Sequence, residues 1–399
     1  MYNIIFSADE NYIKYTAVLI TSIIKNTDAN NDFLNNIYHF HILSDFLSDS
    51  IKEKLDKLQN GLSKIYPCKI SIHIMKDDEF KNFPSSGAAH SLKLPYYRLK
   101  FISLFDDSID KCLYLDSDML CMCDIRELFC IDLKDNIIAV VGDPGSKKAK
   151  IKFIENGKKR VLKFDENYFN SGFLLINVKE YKKAFIEQKC EELAKNCVYI
   201  KAADQDLLNA TISKDKILKL DFAYNFNIIT LLYTVCKDEK KNRLNYTRKE
   251  FIQSMKNPKI LHYGEKPWRF LHSYKDFYGK NINDYWWDIA EVTPVFKEEL
   301  SKQKKEIKDY LLYAGLGYTL YYFCKKYQIF SIKKLLKTDK DKELMEFAKD
   351  LNDEKYGLYC MLGEMVLYAR KHQKGVINII LKSYKMMKMY EKYAHKSKF

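Results

Sequence analysis

The chain has 399 residues, of which 47% are hydrophobic and 30% charged, a composition that excludes a disordered or collagen-like chain and allows a large buried core. The formal net charge is +14, yet residues 301–399 contain 22 Lys and Arg against 11 Asp and Glu, so residues 1–300 carry only +3. The basic final quarter therefore predicts an acidic partner, such as anionic lipid, nucleic acid or an acidic glycan.

Strand-like and helix-like segments alternate through the first 145 residues. Short apolar runs predict strands over residues 2–8, 38–43, 69–74, 112–115 and 137–141. Helical patterns lie over residues 12–25, from about residue 48, and over residues 94–104. The last two strands are almost continuously apolar, which is typical of strands covered on both faces. The alternation predicts an α/β fold with a mostly parallel sheet flanked by helices.

A second part of the chain repeats this alternation and then becomes helical. Patterns predict a strand over 173–178, helices over 179–196 and 204–213, and a short strand over 259–262. Beyond about residue 283 the pattern is helical to the end. We therefore expect a catalytic domain over residues 1–285 and a basic, aromatic-rich helical extension over residues 286–399. The longest uncharged apolar run, 310–324, is 15 residues long, shorter than the roughly 18 needed to span a bilayer.

The beginning of the chain and its cysteines indicate a reducing compartment. The first residues form a predicted strand without the charged and apolar segments of a secretory signal. The ten cysteines are scattered without the spacing of a disulfide scaffold. Cys112, Cys121, Cys123 and Cys130 lie close in sequence, so a zinc site is an alternative, although paired Cys-x-x-Cys spacing is missing. We expect a cytoplasmic protein with free thiols.

An acidic motif follows the apolar strand at residues 112–115. Asp116 and Asp118 are two residues apart, so in an extended chain both side chains point to the same side. The carboxyl end of a strand is where α/β sheets bind ligands, and two close carboxylates are stabilised by a divalent cation such as Mg²⁺ or Mn²⁺. The simpler interpretation is a surface turn, because Asp-Ser-Asp also favours turns.

Six segments in order resemble one known family. They are residues 6–12 (FSADENY), 97–99 (YRL), 113–118 (LYLDSD), 168–177 (YFNSGFLLIN), 203–209 (ADQDLLN) and, in part, 262–268 (HYGEKPW). The chain is identified from them as a member of glycosyltransferase family 8, the retaining family of bacterial lipopolysaccharide galactosyl- and glucosyltransferases and of glycogenin. The resemblance covers residues 1 to about 270 and implies a GT-A-type fold.

The resemblance implies a metal site and a UDP-sugar site. The metal ligands would be Asp116, Asp118 and His262, with Mn²⁺ or Mg²⁺ as the cofactor. Asp204 and Gln205 would lie at the reacting sugar, as the catalytic residues. The residues implied in binding the UDP-hexose are Ala8, Asp9, Asn11, Arg98, Asp116, Ser117, Asp143, Asn170, Ser171, Asp204, Gln205, His262, Gly264 and Lys266. The chain departs from the family's pattern in having three residues between His262 and Lys266, where about five are usual.

Several of these residues also have a simpler interpretation. Asp9 or Asn11 could cap the first helix, and Asp204 could cap a later one. Arg98 could form a surface ion pair. Asp143 precedes Pro144 and Gly145 and could belong to a turn.

The resulting prediction is a retaining, metal-dependent transfer of galactose or glucose from a UDP-sugar to a glycan, in lipopolysaccharide or other surface glycan synthesis. Transfer from the departing face of the sugar is favoured over a covalent intermediate, because no free carboxylate is evident as nucleophile. The basic extension fits either an anionic membrane, on the inner face of the plasma membrane, or a solvated helical surface. Alternatives are a nucleotidyltransferase, a catalytically idle UDP-sugar-binding protein and, less favoured, a nucleic-acid binder.

Overall fold

The computed structural model describes residues 1–30, 36–84, 93–145, 149–227, 245–264, 266–269, 276–307 and 311–326, and short pieces at 358–359, 362–363, 365–367 and 387. The chain divides into two compact units. The first consists of Met1–Asn227, Arg243–His262 and Thr293–Phe296, and the second of Ile228–Asn242, Tyr263–Val292 and Lys297–Phe399.

The first unit contains three sheets and most of the helices. Its strands are β1 Tyr2–Ser7, β2 Tyr38–Ser44, β3 Cys68–Ile74, β4 Lys111–Leu115, β5 Met119–Cys121, β6 Ile138–Gly142, β7 Lys150–Glu155, β8 Lys158–Lys163, β9 Phe169–Asn177, β10 Cys197–Tyr199, β11 Ile217–Lys219, β12 Phe226–Asn227 and β13 Ile260–His262. Its helices are α1 Ile13–Lys25, α2 Asp49–Leu62, α3 Leu94–Tyr97, α4 Arg126–Phe129, α5 Val178–Lys183, α6 Ile186–Lys195, α7 Ala203–Thr211 and α8 Arg248–Lys256.

The main sheet has seven strands in the order β11-β6-β9-β4-β1-β2-β3. Strands β1, β2, β3 and β4 pair in parallel, as do β6 and β11, whereas β9 is antiparallel to both of its neighbours. The predicted α/β class with a mostly parallel sheet is therefore confirmed.

Both faces of the main sheet are buried at its central strands, which explains the continuous apolar runs of those strands. One face contributes Ile5, Tyr114 and Leu174 to a large cluster that also includes residues from α6 and α7. Residues that alternate with these, such as Ile4 and Leu113, are equally buried on the opposite face. Helix α1 buries nearly its whole length, from Ile13 to Ile24, as expected for a helix in a covering layer.

Two small sheets complete the first unit. The sheet β12-β13-β5 matters for the site, because β13 runs antiparallel to β5 with His262 opposite Met119. Since Met119 directly follows Asp118, this register brings the end of a distant segment to the acidic motif. The sheet β10-β7-β8 contains a hairpin over residues 150–163 that the sequence analysis did not predict. These 14 residues include five lysines, so they contain few of the apolar residues on which strand prediction depends.

Two predicted helices are wrong in length. The helix expected over 94–104 is only the four-residue α3, followed by a separate 3₁₀ turn at Ile102–Leu104. Arg98 ends α3, and its side chain turns inward to internal partners, so tertiary contacts override the helical pattern. The helix expected over 179–196 is interrupted between α5 and α6 by Phe185, whose φ of 54° is left-handed.

The second unit is helical in its described part, with α9 Ile282–Ala290, α10 Lys297–Ile307 and α11 Leu311–Lys326. Gly317 of α11 lies so close to the carbonyl oxygen of Tyr359 that a Cβ atom would collide with it. No helix within the described ranges is long and apolar enough to cross a membrane. The lysine clusters that prompted the membrane prediction lie at 333–337 and 382–388. Their lysines are outside the described residues, and in these two ranges only position 387 is described.

Candidate active site

The acidic motif lies in a turn at the carboxyl end of β4. The backbone N–H of Asp116 donates to the Gly172 carbonyl at 2.9 Å, and that of Met119 donates to the Asp116 carbonyl at 3.1 Å. This turn holds the Asp116 and Asp118 carboxylates on the side where β13 ends in His262. His262 Nε2 lies 3.4 Å from Asp118 Oδ1 and 3.9 Å from Asp116 Oδ2. The structure thus brings together the three predicted metal ligands.

These three side chains fit a divalent cation. One ligand atom from each lies within 4.8 Å of the others. Two carboxylate oxygens and one imidazole nitrogen suit a cation that accepts oxygen ligands together with nitrogen, as Mn²⁺ does. Among the described residues, the cysteines do not form a comparable group, so the zinc alternative has no support there.

Gly172 lies directly beneath this group. A Cβ atom at this position would lie 2.6 Å from Asp116 Oδ2, 2.9 Å from Asn170 Oδ1 and 3.0 Å from His262 Cε1. These distances are well inside van der Waals contact, so three site residues occupy the volume that any side chain would need. Only glycine permits this approach of β9 to the acidic turn.

Arg98 connects the acidic turn to helix α7. Its Nη2 lies 2.8 Å from Asp116 Oδ1 and its Nε lies 3.2 Å from Asp204 Oδ2, while Nη1 donates to the Ser171 carbonyl at 3.0 Å. Its guanidinium also lies over the Tyr114 ring, 4.6 Å from the centroid. Burial by itself lowers the pKa of Arg98, but the two carboxylates together raise it by more than burial lowers it, so the side chain stays charged. Arg98 is therefore an internal ion-pair partner, not a surface one.

Asp204 and Gln205 begin helix α7 and face the Asn170–Ser171 segment of β9. Asp204 accepts a hydrogen bond from Ser171 Oγ at 2.6 Å, and burial raises the pKa of its carboxyl group although Arg98 opposes this. Gln205 Oε1 accepts from the Ser171 backbone N–H at 3.0 Å, and Gln205 Nε2 donates to Asp143 Oδ2 at 3.1 Å. The predicted residues from three separate segments therefore meet here.

Asp204 does not cap α7, because the N-cap position is Ala202 and has no side-chain capping bond, whereas Asp206 fixes the backbone just before the helix. The backbone N–H groups of Lys201 and Ala202 both donate to Asp206 Oδ2 at 2.9 Å, and Tyr168 donates its hydroxyl to Asp206 Oδ1. Asp204 is thereby left to face Arg98 and Ser171.

Asn225 is a site residue that the sequence analysis missed. It lies in a 3₁₀ turn, Phe222–Asn225, and is only 2% exposed. Its Oδ1 lies 2.8 Å from His262 Nδ1, and its Nδ2 donates to Asn170 Oδ1 at 2.8 Å. The one available signal was its position shortly after strand β11, since Asp116, Asp118 and Asp143 also follow strands.

The remaining predicted residues of the first unit lie at the end of β1 or beside it. Ala8 is buried, and Asn11 is exposed. Asp9 accepts the backbone N–H of Tyr12 at 2.9 Å, which supports the start of α1 as a cap would. Ser117 is buried, donating to the Ser7 carbonyl and accepting from Thr16, each at 3.0 Å. Because β1 and β4 are parallel neighbours, Ser7, which ends β1, and Asp116, which follows β4, lie at the same edge of the sheet.

Asp143 combines both interpretations considered for it. Its Oδ1 accepts the Gly145 N–H at 2.9 Å, as in a turn, while its Oδ2 accepts from Gln205. Gly264 and Lys266 belong to the second unit, where Lys266 Nζ donates to the Tyr263 carbonyl at 2.8 Å. Their assignment to the phosphates stays a prediction.

Comparison with known proteins gives a consistent result. The model of a family described as glycosyl transferase family 8 matches residues 3–272. A lipopolysaccharide 1,2-glucosyltransferase of Escherichia coli is 30% identical over 326 residues, covering 78% of this chain and 86% of that protein. A lipopolysaccharide 1,3-galactosyltransferase of Salmonella typhimurium is 25% identical, covering 82% of this chain and 91% of that protein.

Solved structures show the same fold. The galactosyltransferase LgtC, crystallised with donor and acceptor sugar analogues, matches with a TM-score of 0.52 at 21% identity, covering 75% of this chain and 99% of its own. The bifunctional glycosyltransferase WbbM matches with a TM-score of 0.55 at 23% identity, covering 76% of this chain and 51% of its own.

Proposed function

The chain belongs to glycosyl transferase family 8 and is a glycosyltransferase, and on this premise we propose that it transfers galactose or glucose from a UDP-sugar to a glycan acceptor. The transfer retains the anomeric configuration and depends on Mn²⁺ or Mg²⁺. Because the relatives named above act on lipopolysaccharide, the acceptor is proposed to be a lipopolysaccharide or other surface glycan.

One observation supports this proposal above all others: the Asp116, Asp118 and His262 group adjoins the Asp204 and Gln205 pair, with Arg98 in contact with both Asp116 and Asp204. A diphosphate leaving group and a sugar ring need two such neighbouring sites. A divalent cation held by Asp116, Asp118 and His262 would supply the positive charge that stabilises the departing diphosphate. Lys266 is proposed to add a second positive charge.

The other residues have complementary roles in the proposal. Arg98 holds Asp116 and Asp204 in place, and its positive charge opposes the burial that raises the pKa of the Asp204 carboxyl group. Asp204 and Asp143 offer carboxylate oxygens to the hydroxyl groups of the sugar. Asn170 and Ser171 limit the pocket from β9, and the end of β1, with Ala8, Asp9 and Asn11, would receive the nucleoside.

Gln205 is better placed as a dipole than as a nucleophile. Its Oε1 already accepts hydrogen bonds from Ser171 N and Asn170 Nδ2, both at 3.0 Å. We therefore favour transfer on the departing face: the bond between C1 and the diphosphate oxygen breaks, the acceptor oxygen bonds to C1 from the same face, and the acceptor proton passes to the diphosphate. This route needs no covalent enzyme intermediate.

The extension beyond residue 285 is proposed to bind the acceptor or an anionic membrane surface, which would keep the enzyme at the inner face of the plasma membrane. Its excess of basic residues is the support for this assignment.

The experiment is release of UDP from a panel of UDP-sugars with Mn²⁺, comparing wild type with Asp118→Ala. Asp165→Ala, which removes a half-buried carboxylate paired with Lys214, is the matched control. Release from one donor that is lost in Asp118→Ala but kept in the control identifies the sugar. UDP-sugar binding without release, even with acceptor glycans present, would favour the idle binding protein. Full activity of Asp118→Ala would contradict the metal assignment.

A further inference from the structure

A row of three side-chain amides joins the proposed metal ligand to the sugar pocket. His262 Nδ1 lies 2.8 Å from Asn225 Oδ1, and Asn225 Nδ2 donates to Asn170 Oδ1 at 2.8 Å. Asn170 Nδ2 donates to Gln205 Oε1 at 3.0 Å, and Gln205 Nε2 donates to Asp143 Oδ2 at 3.1 Å. Every amide in this row donates in the same direction, towards the Asp143 carboxylate.

The direction of the row is set by the backbone of β9. A side-chain amide can be turned over, but a backbone N–H can only donate. The Gly172 N–H donates to Asn170 Oδ1 at 3.0 Å, and the Ser171 N–H donates to Gln205 Oε1 at 3.0 Å. Both oxygens are thereby fixed, so Asn170 must present its NH₂ to Gln205. Asn225 must likewise present its NH₂ to Asn170.

This orientation determines the tautomer of His262. Because the NH₂ of Asn225 faces Asn170, its Oδ1 faces His262 Nδ1 and can only accept a hydrogen bond. The proton of the neutral imidazole is therefore on Nδ1, and the lone pair is on Nε2, which faces Asp118 and Asp116. Nε2 with a lone pair is the form that a metal requires from histidine.

We propose that Asn225 is a positioning residue for the metal site: it holds the His262 ring in the Nδ1–H tautomer and, through Asn170, ties the orientation of that ring to Gln205. This inference rests on the proposed function, since it concerns the metal that the function requires. Partners that hold the second nitrogen of a ligating histidine typically change metal affinity 10–100-fold when removed, so about that effect is expected here.

Two substitutions separate the two halves of the proposed role. Asn225→Ala removes both contacts. Asn225→Asp keeps an oxygen that accepts from His262 Nδ1 but has no NH₂ for Asn170. Asn3→Ala is the matched control. Asn3 is also a buried asparagine, and its Oδ1 lies within hydrogen-bond distance of a histidine ring, 3.2 Å from His41 Nε2. It lies at the opposite end of β1 from the site.

The primary measurement is Mn²⁺ affinity by calorimetry in the presence of UDP, with the thermal midpoint recorded for each variant. Asn225→Ala is expected to bind Mn²⁺ about 10–100-fold more weakly. Asn225→Asp is expected to bind Mn²⁺ at least as well as wild type yet to lose hexose transfer, because its second carboxylate oxygen would face Asn170 Oδ1 and repel it, which pushes Asn170 away from Gln205. Asn3→Ala is expected to lose thermal stability without any change in Mn²⁺ affinity.

A second measurement does not depend on the folding of any variant. The ¹⁵N NMR signals of the His262 ring in the metal-free wild type, identified by their loss in His262→Gln, are expected to show the proton on Nδ1. A neutral ring with its single proton on Nε2, or wild-type Mn²⁺ affinity in a folded Asn225→Ala, would overturn the role of Asn225. Failure of wild type itself to bind Mn²⁺ with UDP would instead refute the proposed function.

Discussion

Replacement of Gly172 by alanine is the most direct test of the site geometry. The new Cβ would meet Asp116 Oδ2 at 2.6 Å, Asn170 Oδ1 at 2.9 Å and His262 Cε1 at 3.0 Å, whereas ordinary contacts begin near 3.4 Å. Asp116 cannot swing aside freely, because Arg98 Nη2 holds its Oδ1 at 2.8 Å. The acidic turn and β9 must therefore separate by several tenths of an ångström, in the region that the metal and the sugar would share.

The substitution is expected to slow catalysis strongly while the protein stays folded. Misplacement of reacting groups by about 1 Å costs roughly 10²-fold in rate, so we expect kcat/KM for the UDP-hexose to fall by about that factor in Gly172→Ala. Overpacking typically costs about 1–3 kcal/mol, which a domain of this size tolerates. Initial rates of UDP release and a thermal melt give the two quantities on the same preparation.

Gly145→Ala is the matched control for that substitution. Gly145 lies on the Asp143 turn, but a Cβ atom there meets nothing within 4 Å and its φ is not left-handed. It should retain activity and stability close to wild type. Wild-type kinetics in a well-folded Gly172→Ala would refute the reasoning, because the contacts at Asp116 and His262 could not then belong to the productive site.

Two further predictions concern charges. Arg98→Met leaves the buried Asp204 and the half-buried Asp116 without their counter-charge and should cost about 3–5 kcal/mol of unfolding free energy, measured by urea denaturation, with Arg98→Lys intermediate. A neutral result for Arg98→Met would contradict the ion pairs. Burial, reinforced by neighbouring positive groups, lowers the pKa of His39 to about 4 and of His41 to about 3. The unfolded chain takes up these protons near pH 6.5, so the unfolding free energy should fall progressively below that pH, and His41→Asn should flatten the decline.

Part of the site could be predicted because its residues lie at strand ends, and the roles of the others were implied by the resemblance to glycosyltransferase family 8. Asp116 and Asp118 after β4, Asp143 after β6 and His262 at the end of β13 are polar groups at the ends of apolar runs, and the sheet order brings those ends together. Asn225 could not be found in this way. Its role depends on which way its side-chain amide is oriented, and that orientation is set by backbone N–H groups of β9. No local sequence pattern contains this information.

Arg98 illustrates a different limit. Its sequence context permitted a donor-binding residue or a surface ion pair, and the helical pattern over 94–104 suggested a regular helix around it. The side chain turns inward towards Asp116 and Asp204, and α3 ends there. These two long-range contacts therefore decide both the local structure and the role of the residue. The hairpin of β7 and β8 was missed for another reason: only Ile151 is fully buried among its residues, so its sequence shows little of the apolar alternation that predicts strands.

The charges of the site also predict how its ligands depend on one another. Asp116, Asp118 and Asp204 bring three carboxylates together, and Arg98 contacts Asp116 and Asp204, so when ionised these carboxylates disfavour a diphosphate alone and attract a divalent cation. Mn²⁺ and UDP should therefore strengthen each other's binding, and linkage requires the factor to be the same in both directions, within a typical range of about 5–150-fold. Calorimetric titrations in both orders measure that factor. Asp118→Asn, which removes one of the negative charges, should reduce it. A UDP affinity that is the same with and without Mn²⁺ would show that the diphosphate binds elsewhere than beside Asp116 and Asp118.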